Sequence, residues 1–436
     1  MQLLRRPIHQ LDIRTLKISS YEDQQLPIPV ALSLHTFVCV DNDSSEEPFG
    51  TDTERYDIPL DTKSLEVNAR GQKFAFNFYK EMAGKEESNF CISPLSASFC
   101  LGMVLNGANG NTYTELQEAL GYEGLTNEEI NAYAQMMQTE LPKLDGRTIF
   151  MNANSMWIKD DFQVLEPFVK TNQTYYNAEV YNEPFNMETV DKINHWCANK
   201  TNDLIPKMLE TISPNTLACL INAIYFKGVW KMEFDKGDTK DKPFHLKDGS
   251  EIKVPTMKQQ ATNYYYGDEQ VSVVELPYGN GAFSLVLFMP SDKKKTSLDE
   301  LIADLDADRW NQWMSNLSSY SFDLYLPRFT MESSMDLTDV MRTLGVKDAF
   351  KSEADFTNIS TEQPLFIGLI KQNTFIKVDE SGTEAAAVTI VGMDTRALPP
   401  ATTLKELRFD HPFGYVLKEN STGAILFAGR VDHPKS

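Results

Sequence analysis

Cysteine is scarce in this chain and its spacing suits no cross-link. The five residues, Cys39, Cys91, Cys100, Cys197 and Cys219, include no CxxC pair. Cys91, Cys197 and Cys219 stand among apolar neighbours, which excludes a disulfide framework or thiolate metal site and leaves buried thiols. The six histidines, His9, His35, His195, His245, His411 and His433, are scattered and form no HExxH. A zinc-hydrolase helix is therefore missing, and no metal or cofactor is expected. Also missing are a GxSxG elbow, a GxxxxGK[ST] phosphate loop and a GxGxxG behind a strand, so an enzyme is not expected. Gly107-Ala108-Asn109-Gly110 is glycine-rich but lacks the lysine, and reads as a turn after a helix ending near Leu105. Positive charge is short as well: 41 Lys and Arg face 62 Asp and Glu, a net charge of −21. Such a field repels nucleic-acid phosphates and anionic lipid. The one basic run, Lys293-Lys294-Lys295, follows Pro290-Ser291-Asp292 and reads as a solvated turn. No apolar run reaches 18 residues, so no helix is expected to span a membrane.

What is present is core-building material. The 436 residues are 42% hydrophobic and 11% aromatic, enough to bury a large core. Residues 1 to about 65 carry prolines, acidic runs and little periodicity, and are read as a disordered leader. From Asn68 onward Phe74, Phe78 and Met82 recur at helical spacing, so the folded domain is placed at 66–436. Inside the leader, Pro27 to Val38 is apolar and ends at Cys39, followed by Asp41-Asn42-Asp43-Ser44-Ser45-Glu46-Glu47. This is a loose match to a bacterial lipoprotein signal and makes Cys39 a candidate for lipidation. Phe37 and Val38 stand where small residues are wanted, so a plain leader is the competing reading.

Thr126 to Leu141 has a helical pattern, Leu217 to Phe226 and Phe283 to Met289 are continuous apolar runs suited to buried strands, and Phe322-Asp323-Leu324-Tyr325-Leu326 alternates. Helices early and strands late predict an α+β fold with large, mainly antiparallel sheets.

One stretch stands apart: Glu380-Ser381-Gly382-Thr383-Glu384-Ala385-Ala386-Ala387, continuing to Arg396-Ala397-Leu398-Pro399-Pro400. Written as a strand, it places Thr383, Ala385, Ala387, Thr389, Val391 and Met393 on one uncharged face, while Glu384 and Asp394 fall on the other. Small uncharged residues can enter a packed sheet without burying an unpaired ion. The arginine and prolines suit an exposed loop equally well, and an alanine-rich edge strand or linker fits the same residues.

Val378 to Ala387 resembles the hinge of the reactive-centre loop of inhibitory serpins, and the likeness extends along the chain. Asn89-Phe90-Cys91-Ile92-Ser93-Pro94-Leu95-Ser96, the Gly107 to Thr112 turn, Leu220 to Trp230, Leu326-Pro327-Arg328-Phe329, Asp410-His411-Pro412-Phe413 and Leu426 to Val431 all resemble serpin segments in order. The resemblance spans about residues 68–434. It implies three β-sheets, A, B and C, about nine helices, and a reactive-centre loop near 380–403 above a metastable five-stranded sheet.

The implied activity is suicide inhibition. A protease cleaves the loop, is trapped as an acyl-enzyme, and the loop inserts as a new strand in sheet A. Counting fourteen positions from Gly382 puts the scissile bond at Arg396–Ala397, which suits a trypsin-like protease. The stretch from Ala397 to Arg408 is long for the family, so Met393 or Leu398 could serve other proteases. By the same resemblance Glu380, Gly382, Thr383, Glu384, Ala385, Ala386 and Ala387 form the hinge. Ser93, Ser96, Asn222, Gln372 and Trp230 form the shutter and breach beneath it, with Gln372 where the family usually has histidine. Glutamine can donate and accept, so contacts to Asn222 and Ser93 are expected without a histidine's pH response. The expected partner is a target protease in covalent complex with a monomer, outside the cell or at its surface, with the cytoplasm the alternative. Membrane contact would come only through a lipidated Cys39. Heparin-type activation is not expected, because Asn127 to Glu140 is acidic. The competing functions are a non-inhibitory serpin serving as chaperone, carrier or storage protein, and an inhibitor of elastase-like or cysteine proteases.

Overall fold

A computed structural model describes residues 53–213, 215–292, 295–383 and 405–435. The chain begins with α1 (Thr62–Lys85), β1 (Phe90–Ile92), α2 (Pro94–Leu105), α3 (Gly110–Leu120), α4 (Asn127–Glu140), β2 (Thr148–Lys159), α5 (Glu166–Tyr176), β3 (Glu179–Glu183) and α6 (Met187–Lys200). Strands then dominate: β4 (Ala218–Val229), β5 (Lys240–His245), β6 (Glu251–Gly267), β7 (Val271–Pro277) and β8 (Phe283–Pro290). After α7 (Leu298–Ala303) and α8 (Ala307–Ser315) come β9 (Ser318–Pro327), β10 (Phe329–Asp336), α9 (Thr338–Thr343), β11 (Ile367–Val378), β12 (Gly382–Thr383), β13 (Lys405–Arg408), β14 (Phe413–Glu419) and β15 (Ile425–Val431).

Local chemistry sets the ends of these elements. The Asp61 carboxylate accepts from Ser64 N at 2.7 Å and starts α1. Thr126 and Glu129 form a reciprocal capping box at the head of α4, where the sequence pattern begins. The early boundary needs correcting, because residues 53–65 belong to the folded body rather than to the leader. Ile58 is buried and its N–H donates to Ser421 Oγ at 3.0 Å, and Tyr56 donates to Glu140 at 2.9 Å. Residues 53–61 lack periodicity because they form no helix or strand with a face of its own, and Thr62 to Leu65 are the first turn of α1.

The strands form two hydrogen-bonded sheets. A nine-stranded one runs β1-β15-β14-β8-β7-β6-β9-β13, with β5 on β6. Two of the three implied layers join in it, because the long β6 pairs with β9 over Thr256–Tyr265 and with β7 over Tyr264–Gly267. The other sheet runs β10-β11-β12-β4-β2-β3 and is five long strands plus the two-residue β12. Nine α-helices lie among the described residues.

β4 is central and covered on both faces, which explains its unbroken apolar run. Leu220, Ile224 and Phe226 join the main core, whereas Cys219, Ile221 and Ala223 join a second cluster with Trp157, Ile193 and Trp196. Four cysteines, Cys91, Cys100, Cys197 and Cys219, are free and buried. Burial pushes the Cys91 thiol to about 11 and those of Cys100 and Cys197 to about 12, so none offers a thiolate at neutral pH.

Candidate functional site

Two adjoining regions of the smaller sheet collect the polar residues that the sequence singles out. The first is a seam between β4 and β11, which pair in parallel with Asn222 opposite Gln372. On its other side Asn222 faces Asn154 of β2. Three amides thus line up across three strands, beneath the first turn of α2.

That turn supplies the remaining partners. Ser93 is the N-cap of α2 and donates its hydroxyl to Leu426 O at 2.6 Å. Gln372 uses both ends of its amide: Oε1 accepts from Ser93 N at 2.8 Å, and Nε2 donates to Ser93 O at 3.0 Å and to Asn222 Oδ1 at 3.1 Å. Asn222 Nδ2 donates to Asn154 Oδ1 at 2.8 Å and to the hydroxyl of Ser96, which in turn donates to Asn152. Ser93, Ser96, Asn222 and Gln372 are each at most 1% exposed, so these bonds are made in a water-poor setting where an orphaned group is costly. No ring nitrogen titrates there.

The second region lies at the end of the seam. β12 enters between β11 and β4, with Thr383 opposite Val378 on one side and Gly228 on the other. Gly382 has φ of +153°, and a Cβ on it would lie 1.9 Å from Gly228 O. Only glycine fits that approach.

Trp230 anchors the segment. Its backbone N–H donates to Ser381 O at 2.9 Å and its indole to Asp379 O at 2.8 Å. The indole stacks on Tyr278 with centroids 4.4 Å apart, and the Tyr278 hydroxyl meets Thr383 Oγ1 at 2.6 Å. Burial raises the Tyr278 phenol far above its ordinary value, so it stays neutral. Glu380 is 2% exposed and receives Arg328 Nε at 2.8 Å, with Thr239 also donating to it. Burial pushes its carboxyl up, but Arg328 and Thr239 together outweigh that and hold it below the usual range.

The described residues therefore bring Ser93, Ser96, Asn222 and Gln372 together, and separately join Trp230 to Glu380, Gly382 and Thr383. Glu384, Ala385, Ala386, Ala387, Arg396, Ala397 and Cys39 lie outside the described residues, as do Lys293 and Lys294. Sequence reasoning missed Tyr278, Arg328, Thr239 and the pair Asn152 and Asn154. Arg328 had a signal: Glu380 is an acid in a segment that must enter a sheet, and needs a cation. Asn152 and Asn154 alternate along an apolar strand, which marks one polar spot on its inner face.

The site is thus a polar seam between two parallel strands of an α+β fold, with the two-residue β12 seated at its end. The chain belongs to the serpin family: the profile described as Serpin (serine protease inhibitor) matches residues 69–434. It is 32% identical to neuroserpin of Homo sapiens over 377 residues, covering 83% of this chain and 90% of that one. It is 31% identical to the leukocyte elastase inhibitor of Sus scrofa over 382 residues, 85% of this chain and 100% of that one. The native crystal structure of tengpin, a thermophilic serpin, superposes with a TM-score of 0.79 at 29% identity, covering 87% and 97% of the two chains. No helix among the described residues is long and apolar enough to cross a membrane.

Proposed function

We propose that the protein is a suicide-substrate inhibitor of trypsin-like serine proteases that cleave the Arg396–Ala397 bond. The protease hydroxyl adds to the Arg396 carbonyl, the Ala397 amine leaves with a proton, and an acyl-enzyme forms. The freed segment then enters the seam between β11 and β4 as a strand. It drags the protease with it and distorts the oxyanion hole, so that deacylation stalls.

The observation that carries this reading is the seating of Gly382 and Thr383 in that seam. Entry exchanges the β4–β11 ladder for two new ladders. About a dozen extra backbone bonds at about 0.5–1.5 kcal/mol each supply a drive on the order of 10 kcal/mol. The register supports it too. Asn222 is six residues back along β4 from Gly228, and Gln372 six back along β11 from Val378, so both ladders, extended from Thr383, meet at Thr389. A hydroxyl would then enter the polar spot, with alanines at the two inward positions before it.

The arginine side chain suits a primary pocket floored by a carboxylate. Targets of this kind fit a site of action outside the cell or at its surface. The acidic α4, with Glu128 and Glu129 in its first turn, supports action without heparin, and the protein is proposed to act as a monomer.

The test is to mix the full chain with trypsin, run a denaturing gel, and sequence the released peptide. A stable band at the summed mass with a peptide beginning at Ala397 supports the proposal. Clean cleavage without a covalent band refutes it for this protease class.

A further inference from the structure

We propose that the protease this chain meets carries a strongly positive surface, and that the acidic field of the whole molecule draws it into encounter. This rests on the inhibitory reading above and adds the charge class of the partner. The chain holds 62 acidic against 41 basic residues, a net charge of −21. Residues 1–52 contain eight of the acids and four of the bases, so −17 of that charge belongs to residues 53–436.

The fold accounts for only part of this excess. Glu128 and Glu129 of α4, Glu188 of α6 and Asp308 of α8 stand in first helical turns, where the helix dipole favours an anion. Glu118 has the opposite placement, exposed in the last turn of α3, where the dipole disfavours it. Glu87 and Glu353 are exposed outside any helix, and Glu269 is exposed in the turn between β6 and β7. Self-repulsion of so many like charges destabilises a compact chain, so stability gives no reason to keep them. Solubility is the competing use of the same charge.

The charges nearest the reactive segment along the chain are largely committed to one another. Before it, Lys377 lies 4.0 Å from Asp379, and Arg328 Nε donates to Glu380 at 2.8 Å. After it, Lys405 donates to the Tyr265 hydroxyl at 2.5 Å and Arg408 to Glu406 at 2.8 Å. The sign that a distant partner feels is then set by the body as a whole. Such a field reaches about 10 Å at 0.1 M salt and further below it, and it raises the encounter rate of an oppositely charged partner by about 10- to 1,000-fold. An acidic protease with the same primary pocket is repelled by it. Arg396 thus selects the pocket, and the body selects the charge of the surface around that pocket.

The test compares a cationic and an anionic trypsin, each corrected by its turnover of a small neutral substrate at the same salt. The second-order rate is read as loss of the intact full chain, which counts trapped and merely cleaved molecules alike. With the cationic enzyme it should fall at least about tenfold between about 25 mM and about 500 mM NaCl, and with the anionic enzyme it should rise. The triple variant Glu87→Lys, Glu118→Lys, Glu353→Lys takes the charge from −21 to −15, two units at each site. It should react about threefold more slowly with the cationic enzyme at low salt and match the parent at high salt. Rates that do not change with salt, or that change alike for both trypsins, would overturn the proposal and leave the charge to solubility. The covalent band on a denaturing gel, scored separately, reports on the inhibitory reading alone.

Discussion

Replacing Gln372 by leucine keeps the side-chain size and deletes both ends of its amide. Two groups lose a partner outright: Ser93 N–H, which donates to Gln372 at 2.8 Å, and Asn222 Oδ1, which accepts from it at 3.1 Å. Ser93 O is spared, because Ala97 N also donates to it at 3.0 Å. At about 1–3 kcal/mol for each orphaned buried group, the cost is about 2–6 kcal/mol. Even the lower bound corresponds to about 30-fold in a folding equilibrium or in an unfolding rate that feels the whole loss. The assay is urea-induced unfolding followed by tryptophan fluorescence, read as rate and midpoint. Gln372→His sharpens it. A neutral imidazole can accept from Ser93 and donate to Asn222, so stability near the parent's is expected at pH 8. Buried without an acceptor for a second proton, that histidine would have a folded pKa below its unfolded value of about 6.5. The unfolded chain then binds more protons, and stability falls as pH drops below about 6.5, whereas the parent gains no such term. Gln372→Leu unfolding within threefold of the parent, or Gln372→His with a flat profile between pH 8 and 5, would refute the assigned bonding.

Gly382→Ala should unseat the hinge, since its Cβ would meet Gly228 O at 1.9 Å; the stoichiometry of trypsin inhibition should rise, and an unchanged value would contradict the packing. If the cleaved loop enters in the proposed register, Thr389→Arg would bring a charge to Asn222 and Gln372, and it should convert inhibition into simple cleavage, visible on a denaturing gel. Arg396→Leu should reduce the rate of trypsin trapping by about 100-fold or more, because the variant offers no cation to the carboxylate of a trypsin-like primary pocket. Glu380→Gln should cost about 1.5–3 kcal/mol, the range for bonds to a charged group. The parent's Glu380 is held low, so its contribution is present above the unfolded value of about 4.3 and fades as pH falls through the folded one. The variant should lose that acid-side slope in unfolding midpoints.

Much of the frame was legible before any coordinates. Leu217 to Phe226 reads as a strand buried on both faces because no polar residue but Asn222 interrupts it, and β4 is covered by α2 on one side and α6 on the other. Thr126 with Glu129 marks a helix start because the capping chemistry is local. All of these depend on neighbours within a few positions, where chain geometry ties sequence spacing to direction in space.

What needed the tertiary structure was every relation across strands that the family resemblance had not implied. The contact of Gln372 with Asn222, 150 residues apart, followed from the family resemblance and not from spacing, and nothing in either set Asn154 on the other side of Asn222. Arg328 on Glu380, Tyr278 beneath Trp230 and the glycine-only approach of Gly382 to Gly228 have the same character. The sequence by itself determined which residues could be buried and which elements they form. Only the fold decided which strands flank the seam and in what register, because register follows from long-range packing that no local pattern encodes.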